Sequence, residues 1–342
     1  MLFIILPLSI FFVNMLFIKK RLINNYNGEK HQKFIGKKNI PLTGGLFLSL
    51  ISIAIFYNDY FLMCIFLLII SLIGFCSDIK FLSSPRLRFL LQTITILIFV
   101  YLSELHIKET KIILLDFLLE NIFISILFTT FCLTIIINGT NFIDGLNGLT
   151  IGYFLAISLM ILKLGFIDDL YIEQNKLVFF IYLLICLFIL NVYNKLYLGD
   201  SGAYGLGFII SFFLITIYQN NQNISAFYIV LLLWYPAFEN LFSIIRKFRL
   251  KRSPIYPDSK HLHQLLFYFI KKKFKKKETF SNNLSSILIL IYNLSIFIIA
   301  SMTIHKTQHQ LILIALNIII YIFVYIRLFN FSFEIKSKKN KF

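Results

Sequence analysis

Long apolar runs alternate with short polar breaks from one end of the chain to the other. The runs that approach the length of a membrane-crossing helix are Leu2–Ile18, Leu42–Tyr57, Tyr60–Cys76, Phe89–Ser103, Ile122–Ile137, Leu149–Gly165, Leu177–Tyr193, Leu206–Tyr218, Ile224–Leu241, Asn283–Ile304 and Leu311–Phe329. A hydrocarbon core about 30 Å thick takes about 20 helical residues, so the shorter runs must borrow flanking residues. The pattern predicts an all-α, polytopic integral membrane protein of about 10–11 transmembrane helices, forming one transmembrane domain over 1–342. The first run has no basic segment before it and no small-residue cleavage site, and Lys19-Lys20-Arg21 follows it. It reads as a span rather than a cleaved leader.

Composition agrees. Hydrophobic residues make up 58% of the 342, mean hydropathy is +0.82, and only 14% of residues are charged, against about 25% in an average soluble domain. Disorder, collagen-like repeats and a disulfide scaffold are excluded by the high apolar content and by only four Cys. Cys64, Cys76, Cys132 and Cys186 lie in or beside apolar runs and read as small buried hydrophobes.

The net charge of +17 could suggest nucleic acid, but position decides its meaning. If Lys19-Lys20-Arg21 holds the first loop in the cytoplasm, with the N-terminus outside, every later loop acquires a side. Of the 33 Lys and Arg, only Lys108, Lys111, Lys163, Lys176 and Lys306 then fall outside. The acids divide evenly between the two sides, so the sorting is specific to positive charge. No nucleic-acid partner is expected, and tracts such as Lys271–Lys277 suit anionic membrane lipids at the inner leaflet. The abundance of Ile, Phe, Lys, Asn and Tyr suggests an AT-rich bacterial genome.

Five inside acids lie near span ends: Asp78, Asp144, Asp200, Glu239 and Asp258. A carboxylate near hydrocarbon is costly unless it meets a cation, a metal or a polar ligand. The segment Asn138–Leu149 reads as a polar loop that interrupts the helix, with Asn141, Asp144 and Asn147 able to face a ligand three residues apart and Gly145 allowing close backbone approach. In Leu198–Gly207, Asp200 precedes small residues entering the next helix, whose N-terminal amides favour an anion. An aspartate beside such a backbone suits Mg²⁺ bridging protein and pyrophosphate. Asp78 lies among Lys80, Arg86 and Arg88, and taken alone that loop reads equally as a salt-bridged, positive-inside turn. His261 and His263 can donate to phosphate or move protons, though a surface pair would look the same. Lys37, ahead of the Pro41 to Gly44-Gly45 turn, can contact phosphate or merely the membrane surface.

In order, these segments resemble the polyprenyl-phosphate N-acetylhexosamine-1-phosphate transferase family, of the glycosyltransferase family 4 type, over about residues 30–266; two further helices and a basic tail follow over 283–342. Ser77-Asp78 with Leu82-Ser83, Arg86-Leu87 and Gln92 matches its aspartate-rich loop, with Ser77 where the family usually has a first Asp. Asn138 to Leu149 carries its Asn-x-x-Asn-x-x-Asp-Gly-x-x-Gly-Leu motif, Gly199-Asp200-x-Gly202 its metal-binding loop, Tyr197 the aromatic that stacks on uracil, and His261-Leu-His263-Gln264 its histidine motif. The resemblance implies transfer of an N-acetylhexosamine 1-phosphate, GlcNAc-1-phosphate foremost, from a UDP-sugar to undecaprenyl phosphate with release of UMP. It implies Mg²⁺, with Mn²⁺ as the alternative, on Asp200 and Asp144. Asp78, Asp144, Asp200, His261 and His263 would be catalytic; Lys37, Asn141, Gly145, Tyr197 and Arg86 would bind substrate. Ile40-Pro-Leu-Thr-Gly-Gly45 and the His-Leu-His-Gln motif look closer to the O-antigen-initiating and teichoic-acid-initiating branches than to the phospho-MurNAc-pentapeptide translocases. A polytopic transporter or flippase is the rival of another class, but its polar groups would cluster at the bilayer midplane. The oligomeric state, monomer or homodimer, stays open.

Overall fold

The computed structural model describes residues 2–20, 22, 40–221, 223–249, 251, 260–275 and 277–339. Among them the chain is helical throughout, without a β-strand: α1 (Leu2–Lys20), α2 (Gly44–Phe56), α3 (Phe61–Asp78), α4 (Pro85–Ser103), a short α5 (Ile113–Leu119), α6 (Ile122–Ile143), α7 (Leu149–Lys163), α8 (Gln174–Val192), α9 (Gly199–Asn220), α10 (Ala226–Leu232), α11 (Trp234–Arg249), α12 (Leu262–Lys273), α13 (Glu278–Ser301) and α14 (Thr307–Lys339). Among the described residues seven helices are long and apolar enough to cross a membrane: α3, α4, α6, α8, α9, α13 and the Thr307–Phe331 part of α14. Every apolar run of the sequence lies on a helix, with α2 and α7 as shorter apolar helices. Large apolar side chains such as Phe61, Ile98, Phe131, Ile291 and Phe323 face outward, the arrangement of a bundle solvated by lipid. The chain is a multi-pass membrane protein.

Helix α9 is the axis. Its residues from Ser201 to Ile217 are all buried, and α2, α3 and α6 pack around it. Small residues permit this. A Cβ on Gly45 would lie 2.3 Å from the backbone nitrogen of Gly202, and one on Gly74 would lie 2.5 Å from Cα of Ser201. Backbones therefore touch at the end of α9 where the polar motif begins, as small-residue interfaces in membranes allow.

The polar segments are helix ends rather than loops. Helix α6 continues six residues past the expected boundary at Ile137, to Ile143. Asn138 Nδ2 donates back to the Thr134 carbonyl at 2.9 Å, and Thr140 Oγ1 to the Ile136 carbonyl at 2.7 Å, so the polar side chains fold onto their own helix. Likewise α9 starts at Gly199, seven residues before the expected Leu206. The ninth expected span, Ile224–Leu241, is broken: α10 and α11 meet at a 74° bend. Pro236 in the first turn of α11 has no N–H to continue the α10 ladder. Beyond the bend, Glu239, Asn240, Ser243, Arg246 and Lys247 are buried while Leu241, Ile245 and Phe248 are exposed. That inverted amphipathicity turns the polar face of α11 toward the site.

Candidate functional site

The site forms where α3, α4, α6, α9, α11 and α12 converge at one end of the bundle. Asp78, the last residue of α3, caps α9: its Oδ1 accepts the backbone N–H of Asp200 at 2.9 Å and its Oδ2 that of Ser201 at 3.1 Å. Gly199 has φ +73° and packs directly on this carboxylate, with a Cβ there 2.7 Å from Oδ2. The amides expected to receive a ligand's phosphate are thus occupied by a side chain of the protein itself. This is a correction to the expected anion site at the α9 N-terminus.

Asp200 is thereby fixed in the first turn of α9. Ser77 Oγ donates to its Oδ2 at 2.6 Å, Arg88 Nη1 donates to the same oxygen at 2.7 Å, and Arg88 also hydrogen-bonds Ser77 Oγ. The Asp200 side chain keeps 25% of its exposure, so the ion pair adds about 1 kcal/mol or less to stability. Its consequence is local, since it orients one carboxylate oxygen and leaves Oδ1 without a hydrogen bond among the described residues. Arg86, the basic residue expected to bind substrate, is exposed and makes no hydrogen bond among the described residues; Arg88, two positions on, reaches the acidic group.

Asp144 follows the last turn of α6 and joins the same neighbourhood. Loss of bulk water pushes its carboxyl up to about 7, and the charge of Asp200 adds to that. Asn141 donates to the Tyr204 hydroxyl at 3.3 Å, tying α6 to α9 beside the acids. Asn147 points elsewhere: its Nδ2 donates to Asn194 Oδ1 at 3.0 Å and to Asn283 Oδ1 at 3.3 Å, and its backbone N–H donates to Asn282 Oδ1 at 2.8 Å. The expected row of three ligand-facing carboxamides and carboxylates is therefore two, because Asn147 binds the turn to α13 and to the segment after α8. Tyr197 belongs to that network too. It is buried, its hydroxyl donates to Asn194 Oδ1 at 2.9 Å, and its backbone holds Pro41 and Gly44.

The histidines complete the far wall. His261 caps α12, with Nδ1 2.9 Å from Glu239 Oε1, and its ring lies parallel to that of His263 at 5.7 Å. His263 is fully buried, and among the described residues neither ring nitrogen is hydrogen-bonded. Burial pushes it down to about 3, so it is neutral at ordinary pH. An unsatisfied buried group of this kind costs about 1–3 kcal/mol and calls for a ligand or water. Its ring abuts Gly145, where a Cβ would lie 2.4 Å from Nε2. Glu239 was legible only as an acid near a span end; its partners are set by the bend before α11. Lys247, 5.9 Å over the Phe142 ring, brings a buried cation to the same wall. Lys37 and Asp258 lie outside the described residues.

Among the described residues no three His, Cys, Asp or Glu side chains cluster as a metal cage. Asp144 and Asp200 are instead two hard-oxygen carboxylates near enough that the charge of Asp200 raises the proton affinity of Asp144. Mg²⁺ commonly takes one or two carboxylates and completes its shell with water and phosphate, and the pair fits that donor set.

Part of the chain is similar in sequence to known proteins. The family model described as glycosyl transferase family 4 matches residues 60–218, which span α3 to α9. The undecaprenyl-phosphate alpha-N-acetylglucosaminyl 1-phosphate transferase of Thermotoga maritima is 28% identical over 229 residues, 66% of this chain and 67% of that protein. The decaprenyl-phosphate N-acetylglucosaminephosphotransferase of Mycolicibacterium smegmatis is 31% identical over 168 residues, 42% of this chain and 41% of that protein. The probable undecaprenyl-phosphate N-acetylglucosaminyl 1-phosphate transferase of Bacillus subtilis is 28% identical over 209 residues, 59% and 56% of the two chains. The latter two matches cover about half of each relative's length or less.

Proposed function

We propose, from the glycosyl transferase family 4 match over residues 60–218 and the similarity to the Thermotoga maritima transferase, that the chain transfers N-acetylglucosamine 1-phosphate from UDP-GlcNAc to undecaprenyl phosphate and releases UMP. The observation that carries this is the gathering of Asp144, Asp200, Arg88, His261 and His263 at one end of a membrane bundle, where a lipid acceptor and a water-borne nucleotide can meet. The product is a first lipid-linked intermediate for a cell-envelope polysaccharide. The site faces the cytoplasm of a bacterial inner membrane, by the distribution of Lys and Arg.

An oxygen of the lipid phosphate attacks the sugar-bearing phosphorus, and the pyrophosphate P–O bond to UMP breaks. No bond to the anomeric carbon changes, so the sugar keeps its configuration. The acceptor is already ionised at neutral pH, and the difficulty is bringing one anion onto another. Such transfers are driven by positioning and charge neutralisation. Asp200 and Asp144 would hold Mg²⁺, which supplies charge withdrawal from the pyrophosphate when bound. Arg88 orients Asp200 and offers its remaining N–H groups to phosphate oxygen. Asp78 sets the first turn of α9 and with it the place of Asp200. His261 and His263 face the phosphates from the opposite wall, His263 as a neutral hydrogen-bonding group. Lys37 is assigned to phosphate by its position in the sequence.

The test is a membrane assay with radiolabelled UDP-GlcNAc and undecaprenyl phosphate. Wild-type chain should form lipid-linked label and UMP only with Mg²⁺, and Asp200→Asn should lose about two orders of magnitude or more while remaining folded. Full activity of that variant overturns the role of Asp200, and sugar movement without UMP would assign the chain to transport.

A further inference from the structure

Glu239 is fully buried on α11 and yet meets three donors from two other helices. His261 Nδ1 lies 2.9 Å from Oε1, the Leu262 backbone N–H 3.4 Å from the same oxygen, and the Tyr321 hydroxyl 2.8 Å from Oε2. Seven residues further along α11, Arg246 Nη1 donates to the Lys260 carbonyl at 2.7 Å and to the Tyr325 hydroxyl at 2.9 Å. Residues 239 and 246 share a face of α11, as 321 and 325 share one of α14. The result is a two-pronged clamp on the chain just before α12. One prong fixes the backbone before His261, the other fixes its ring, and α14 contributes one tyrosine to each.

We propose that Glu239 is a positioning residue for His261, and that Tyr321 of the last helix holds Glu239 in that role. The inference rests on the transferase reading above, and makes α14, well beyond the family-matched segment, part of the working site. Oε1 accepts a backbone N–H and Oε2 the Tyr321 hydroxyl, the pattern of an ionised carboxylate, and we assign the proton between Oε1 and the imidazole to Nδ1. Nε2 is then the nitrogen left to act on substrate; among the described residues it makes no hydrogen bond. Fixing an imidazole by a carboxylate on its other nitrogen sets both tautomer and ring orientation. Tyr321 is itself held edge-on by Phe238 at 4.9 Å and Phe242 at 5.3 Å, so its hydroxyl has little freedom to leave Oε2.

A structural tie between helices would predict lost stability and nothing more, and two readouts separate that from positioning. In UMP release by the purified full chain in nanodiscs, Glu239→Gln should lower kcat by about tenfold to a hundredfold with KM for UDP-GlcNAc changed less than about twofold. The double variant with His261→Ala should be no slower than His261→Ala alone, because both changes remove one function. Tyr321→Phe, which deletes a single hydroxyl and spares the packing, should lower kcat in the same direction. Additive losses, or normal kcat in both Glu239→Gln and Tyr321→Phe, overturn the proposal. Independently of activity, ¹⁵N-histidine-labelled wild type should show a low-field Nδ1–H proton resonance. Glu239→Gln and His261→Ala should abolish it, while His263→Gln should not. If wild type releases no UMP, the transferase reading falls and the resonance alone decides this inference. A resonance unchanged in Glu239→Gln overturns it in either case.

Discussion

Asp78 binds the backbone of Asp200, and not its carboxylate: the side chain that ends α3 accepts the second and third amides of α9 at 2.9 and 3.1 Å. One acid thus acts as the helix cap that sets the position of the other. The Asp78 carboxylate satisfies donors that would otherwise be orphaned at a buried helix start. Replacing it with Ala should cost about 1–2 kcal/mol of stability, the range for losing an N-terminal cap, and should lower transfer by displacing Asp200. Asp78→Asn, which keeps one acceptor, should fall between. Thermal unfolding in detergent alongside UMP release checks both, and an Asp78→Ala chain as stable as wild type would refute the capping role.

His263 makes stability depend on pH with a defined sign. Its ordinary pKa of 6.5 is held down to about 3 by burial, so between those values the unfolded chain binds more protons than the folded one. Stability rises with pH wherever that holds. The contribution is complete above 6.5 and is lost as the pH falls toward 3. Across about pH 4 to 7 the unfolding midpoint of wild type should fall more steeply with acid than that of His263→Gln. Parallel curves would show that His263 does not titrate in this way.

Gly145 has no room for a side chain, because a Cβ would lie 2.4 Å from His263 Nε2. Gly145→Ala must push the ring or the turn aside. Overpacking of this kind costs about 1–3 kcal/mol, and activity should fall with the displaced histidine. Pairing the change with His263→Ala should recover most of the stability loss. If it does not, the clash is not with that ring.

Topology yields to cysteine labelling. Ser83, after α3, and Lys111 and Asn223, on the other side by alternation, are all exposed. With Cys76 and Cys132 replaced by Ala, an impermeant maleimide on intact cells should modify Lys111→Cys and Asn223→Cys but not Ser83→Cys. Ser83→Cys should react once the cells are opened. The opposite pattern would put the acidic site outside.

The candidate site was legible in part. Asp144 and Asp200 stood out as acids at span ends, and the structure brings them into one field with Asp78. Arg88 could not be preferred over Arg86, because the choice depends on which face of α4's first turn meets α9. Asn147 looked like a ligand-facing residue by its spacing from Asp144, yet the chain leaves α6 at Ile143 and turns before reaching it, so helical spacing no longer applies. Glu239 was one acid among five, and nothing local marked its partners. His261 is 22 residues away and Tyr321 is 82.

Order along the chain thus determined the membrane class and the apolar helices. Hydropathy is a sum over neighbours, and each run of apolar residues must satisfy its own backbone inside lipid. Only the tertiary structure decided which polar groups touch. That depended on backbone contacts at Gly45 and Gly74 against α9, on a 74° bend before α11, and on a last helix returning to the site. Hydrogen bonds act over about 3 Å, and which atoms come that close is settled by how whole helices cross.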